Sequence, residues 1–154
     1  TRRERALVTL ADRLGGALGS QVRLTLPAGA RVAGDLVDLG KDWVLVRGDT
    51  TGRELLVPLM AVVTVSGLGP RSDHTRSARR FGLGYALRVL SRDRATVAVT
   101  LVGAGSVVRG TIDAVGADHL DVAEHDEDVP RRRENVTGLT TVPFVALAAV
   151  ESRH

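Results

Sequence analysis

At 154 residues, 44% hydrophobic and 25% charged, the chain has the composition of a folded protein with room for one ordinary domain or two small ones. It has no cysteine, which excludes disulfides, thiolate metal sites and thiol nucleophiles, and fits a reducing, cytoplasmic location. Its net charge of +3 is uneven: +2 over residues 1–20, 0 over 21–68, +5 over 69–94 and −4 over 95–154, so a basic connector stands between two β-rich stretches.

The first predicted element is a helix over 4–18, where Leu7, Leu10, Leu14 and Leu18 recur at helical spacing and Gly19-Ser20 stops the pattern. Short strands are predicted near 21–26, 31–38, 42–48, 53–58 and 61–66. Val22, Leu24 and Leu26 alternate with Gln21, Arg23 and Thr25, as in a half-buried strand. Pro27-Ala28-Gly29-Ala30 and Gly48-Asp49-Thr50-Thr51-Gly52 supply turns. Gly34 within a strand predicts a bend or bulge. Aromatics make up only 3% of the chain, so the cores are expected to be Val, Leu and Ala. The apolar runs Leu55–Val65 and Val142–Val150 are shorter than the ~20 residues of a membrane helix, so no membrane partner is expected.

A linker over 67–73 leads into a second predicted helix over 74–91, nearly apolar all round from Phe81 to Leu90, which predicts a helix sandwiched between barrels or subunits. Its Gly82-Leu83-Gly84 does not follow a strand and is no nucleotide-binding fingerprint. Then the β pattern repeats. Val97, Val99 and Leu101 echo the first strand 75 positions on. One extra residue in Gly103-Ala104-Gly105-Ser106 shifts the offset to 76, so that Gly34 matches Gly110, Gly40 Gly116, Asp42 Asp118 and Trp43 His119. A longer insertion follows, and Pro58 matches Pro143. The chain is therefore an internal duplication, helix–barrel–helix–barrel, with units over 1–68 and 69–154.

The run Val22-x-Leu24-x-Leu26-x2-Gly29-x2-Val32-x-Gly34-x-Leu36-x2-Leu39, with Trp43-Val44-Leu45-Val46 and Leu56-Val57-Pro58-Leu59-Met60-Ala61-Val62, resembles the Sm-like superfamily, its bacterial Hfq branch included. The likeness covers 21–66 most fully and 96–150 less so. It implies a mainly β fold: two tandem five-stranded Sm-like or SH3-like small barrels, each preceded by a helix. It also implies assembly into homo-oligomers through edge strands, and single-stranded RNA binding in the loop before the third strand. Lys41, Asp42 and Trp43 match that loop, as do Asp118 and His119 in the second copy. The family's other pocket element, an Arg-Gly pair or a Tyr-Lys-His run, is replaced by Pro58-Leu59-Met60 and Pro143-Phe144-Val145.

Trp43, the sole tryptophan, is either a stacking platform for a base or an aromatic covering one barrel end. Connector arginines Arg71, Arg76, Arg79, Arg80 and Arg88 are candidate phosphate contacts, or else a solvated helix face partly paired with the acidic second half. Glu124-His125-Asp126-Glu127-Asp128 followed by Arg131-Arg132-Arg133 is either a hard-metal site or docking loop or, the reading taken here, a hairpin whose acids and arginines pair across it. His74, His119, His125 and His154 lack zinc-ligand spacing, and no serine sits in a nucleophile elbow, so no cofactor and no enzymatic activity are expected. Two functions remain: a nucleic-acid-binding module, chiefly for single-stranded RNA, or a structural, protein-interaction or oligomerisation module that has lost the RNA pocket.

Overall fold

Thr9 sets where the first buried helix begins. Its hydroxyl accepts the Asp12 backbone N–H and the Asp12 carboxylate accepts the Thr9 N–H, each at 3.0 Å. This capping box starts α2 (Leu10–Gly16) and separates it from a single turn, α1 (Arg2–Arg5). The single helix expected over 4–18 is thus two helices, because Thr9 satisfies the orphan donors that a continuous helix would have paired along its backbone. Of the four spaced leucines, Leu7 and Leu10 are exposed, and Leu14 is buried with Ala17 beneath the sheet. The computed structural model describes residues 1–74, 77–103 and 105–153, the side chains of Ser77 and Ala78 excepted.

The strands follow the alternation closely: β1 (Gln21–Thr25), β2 (Arg31–Leu39), β3 (Trp43–Gly48), β4 (Glu54–Pro58) and β5 (Thr64–Ser66). After the connector and α3 (Leu83–Arg92) come β6 (Thr96–Leu101), β7 (Val107–Val115), β8 (His119–Glu124), β9 (Gly138–Pro143) and β10 (Leu147–Arg153). The two halves match at particular positions. The β2–β3 register shifts between Leu36 and Asp38, and the β7–β8 register between Ile112 and Ala114, the same places 76 positions apart. A side chain on Gly34 would run into the carbonyl of Arg47, and one on Gly110 into that of Ala123, the matching residue. Each fourth strand ends in a proline and a short 3-10 turn, Leu59–Ala61 and Phe144–Ala146.

The two expected closed barrels are not formed. All ten strands lie in one antiparallel sheet, open at both ends, in the order β5-β1-β2-β3-β4-β10-β6-β7-β8-β9. Closure would need β4 to return to β5 of its own half. Instead the free edge of β4 is taken by β10, with Val150 opposite Leu56, Glu151 opposite Leu55 and Ser152 opposite Glu54. Unpaired edges can be satisfied by closure or by covering them, and here each half covers the other. Arg53 clamps the joint through a 2.9 Å ion pair with Glu151, whose hydrogen bond raises the Arg53 pKa.

Two cores lie beneath the sheet, and both cross the joint. One joins Leu14, Val22, Leu36, Val46 and Val57 to Ala149 of β10. The other joins Val97, Leu120, Val142 and Leu147 to Trp43 and Leu56 of the first half, with Leu83 and Leu87 of α3. Helix α3 is amphipathic rather than sandwiched: Leu83 and Leu87 face inward, Tyr85 and Arg88 are exposed. Its Ser91 hydroxyl donates to the Ile112 carbonyl at 3.1 Å, fixing the helix on β7.

Candidate functional site

The loop before β3 is built around Phe81. The Phe81 carbonyl accepts the Lys41 backbone N–H at 2.8 Å and the Trp43 indole Nε1–H at 3.0 Å. The Asp42 carboxylate accepts the Leu83 N–H at 2.8 Å, supplying from a distant loop the cap that Gly82 has no side chain to give. Gly40 lies against the indole ring, and a side chain there would collide with it. Trp43 is 6% exposed and belongs to the core shared by the two halves. Of the alternatives open from sequence, its geometry is that of a buried aromatic.

The equivalent loop before β8 keeps the backbone but not the cover. Gly116 N–H donates to the His119 carbonyl at 2.8 Å, as Gly40 does to Trp43 at 2.9 Å, and Phe144 N–H donates to the Asp118 carbonyl as Leu59 does to Asp42. Among the described residues Asp118 caps no helix, unlike Asp42. His119 is exposed, its Nδ1 2.8 Å from the Asp118 carboxylate. The two loops approach one another at the start of α3. There Lys41, Arg88, Gly84, Gly116, Ala117 and Phe144 line a shallow hollow of about 280 Å3.

The described connector arginines are placed differently from one another. Arg79 turns inward, bonding Asp12 at 2.8 Å and the Asp73 carbonyl at 3.0 Å. The N–H of Thr9 and then Arg79 bring the Asp12 pKa down to about 2 from its ordinary 3.8. Arg80 lies over the Phe81 ring at 4.8 Å, and Phe81 stacks on Tyr85 at 4.2 Å. Arg71 and Arg88 are exposed. Arg76 and His154 lie outside the described residues. No protein-family model matches the chain, and no curated protein or solved structure is significantly similar to it.

The charged hairpin is wired differently from the expected cross-hairpin pairing. Glu127 meets Arg109 of β7 at 3.6 Å and Arg153 of β10 at 3.1 Å, and Arg131 reaches back to Asp113. Glu127 and Asp128 face the neighbouring strands, where Arg109 and Arg153 lie. His125 is buried: its Nε2 is 2.6 Å from the Thr111 hydroxyl and its Nδ1 2.9 Å from the Asp126 carbonyl. No group of His, Asp and Glu among the described residues is arranged to hold a metal ion. Among the described residues no helix is long and apolar enough to cross a membrane. Sequence reasoning passed over Phe81, whose carbonyl anchors the whole loop; a carbonyl acceptor leaves no signal in residue type.

Proposed function

We propose that this protein is a non-enzymatic interaction module of Sm-like ancestry, its first base-stacking position given over to internal packing. The carrying observation is the placement of Trp43 and Asp42: the indole is buried against Phe81, and the carboxylate caps α3. A ring that is 6% exposed offers a base little face to stack on, and one oxygen of the Asp42 carboxylate is committed to the Leu83 N–H. The duplicated helix-plus-five-strand plan and the matching bulges favour the Sm-like resemblance. What then remains for function is surface and edge strands.

A second reading, weak single-stranded RNA binding, is favoured by one observation. Lys41 and Arg88 flank the hollow beside exposed His119, so a phosphate could meet two cations there. The two are separated by fluorescence anisotropy of labelled oligo-U, oligo-A and DNA at low and high salt. The interaction-module reading expects no saturable binding. Binding that weakens steeply with salt and is lost in Lys41→Ala and Arg88→Ala would replace it with the RNA reading.

A further inference from the structure

Helix α3 carries two apolar stripes, and only one of them is packed. Leu83 and Leu87 are buried in the core shared with the second half. The other stripe, Ala86, Val89, Leu90 and Asp93, recurs at helical spacing and faces β3 and β4 of the first half across a gap. Ala86, Val89 and Leu90 stay half-buried. Between them and Leu45, Leu56 and Trp43 lies a cleft of about 270 Å3. Protein interiors are close-packed, so an unfilled space between two apolar walls is a place for an apolar body.

The strand plan does not dictate that apolar wall. In the second copy Leu45 and Leu56 are matched by Asp121 and Thr141, and there the Thr141 hydroxyl donates to the Asp121 carboxylate. The polar pair satisfies itself, whereas the apolar pair leaves a surface to be covered. Charge in the cleft is of one sign. Asp38, Glu54 and Asp93 line it, and among the described residues that line it none is Lys, Arg or His. Asp38 accepts the Leu39 N–H at 2.8 Å. Among the described residues Glu54 and Asp93 form no ion pair. The β3–β4 register sets Arg47 opposite Glu54, and Arg92 and Arg94 flank Asp93 in sequence, but all three arginines are exposed. Tyr85, stacked on Phe81, adds an aromatic wall, and aromatic faces attract cations.

We propose that this cleft binds a small organic ammonium ion, its apolar body between α3 and the sheet and its cationic head against Glu54 and Asp93. The volume lies at the small end of the roughly 300–1,000 Å3 usual for ligand sites, which suits a single-ring or short-chain amine. The carboxylates repel an anion, so the cleft is chemically the opposite of the hollow beside Lys41 and Arg88. Both halves build it: β3 and β4 come from the first, α3 and Ser152 of β10 from the second. An occupant therefore also braces the joint between them. The site goes beyond the interaction-module reading and does not depend on it.

Three probes of similar shape test it: phenethylammonium, neutral phenethyl alcohol and anionic hydrocinnamate, each titrated into the full chain and followed by amide NMR and thermal melting. Phenethylammonium is expected to bind saturably at or below millimolar concentration, to shift the amide signals of Leu45, Ala86, Val89 and Leu90, and to raise the melting midpoint. The alcohol is expected to bind about tenfold more weakly, the usual order for losing a charged hydrogen bond, and hydrocinnamate not at all. A Glu54→Gln/Asp93→Asn double variant is expected to lose most of the preference for the ammonium over the alcohol. Ala86→Phe, which fills the cleft, is expected to bind neither. Should Ala86→Phe fail to fold, the double variant still decides, since it changes charge and keeps shape. No saturable binding of phenethylammonium, equal binding of the alcohol to the unmodified chain, or shifts that fall outside the cleft overturn the proposal. So does a preference for the ammonium that is undiminished in the double variant.

Discussion

Single residues here exchange surface chemistry for architecture. Trp43 donates its indole N–H to Phe81 and fills the core between the halves. Truncating it to alanine should cost ~3–5 kcal/mol, the usual range for a large buried aromatic. Urea unfolding followed by circular dichroism checks this, and a cost below about 1 kcal/mol would mean that the ring packs less than its burial implies. Asp12 gives a pH signature. Its pKa is lowered by the Thr9 N–H and by Arg79, so its stabilising effect is present above the ordinary value of 3.8 and is lost as pH falls through about 2. The melting midpoint of Asp12→Asn should therefore lie below that of the unmodified chain at neutral pH, and the two should converge as pH falls toward about 2. A gap that stays constant through that window would show that Asp12 is not held in its charged form by these partners.

At the scale of elements, two glycines and one borrowed cap shape the sheet and its helix. Gly34→Ala would press a methyl group into the Arg47 carbonyl, and Gly110→Ala one into that of Ala123. Each is expected to destabilise by ~1–3 kcal/mol, the range for overpacking, and to a similar degree because the sites are copies. Thermal melts of both variants check it; a large effect at one site and none at the other would break the structural equivalence. Asp42→Ala should remove the cap on Leu83 at a cost of ~1 kcal/mol, read by urea unfolding. Elements were also where the sequence was most legible. Alternation at Val22/Leu24/Leu26 and the turn glycines placed the first four strands within a residue or two of where they fold. The long helix over 4–18 failed because Thr9 and Asp12 form a local cap that the leucine spacing does not register. The site was half legible: the loop's position followed from Gly40 and Trp43, but the carbonyl and N–H that occupy its side chains come from Phe81 and Leu83, some forty positions away.

The whole molecule turns on the joint between β4 and β10, which no local pattern announces. Alternation shows that a strand exists and which face is buried, but not which strand lies beside it. The duplication made two closed barrels the natural expectation, and a sheet that covers its inner edges by joining the halves was not visible from either copy alone. The same joint predicts how the halves depend on one another. Residues 1–68 expressed alone would leave the β4 edge unpaired and Trp43 without the second core, so that fragment should associate or fail to melt cooperatively. Size-exclusion chromatography with a thermal melt checks this; a folded, monomeric fragment would mean that the first half completes its own core.

Trp43, the only tryptophan, lies in the core shared by the two halves, and its emission tests that placement directly. Its spectrum should be blue-shifted, resistant to acrylamide quenching, and unchanged on adding oligo-U, oligo-A or single-stranded DNA at low salt. A red-shifted, easily quenched emission that responds to oligonucleotide and recovers with salt would place nucleic acid on the indole and contradict the account.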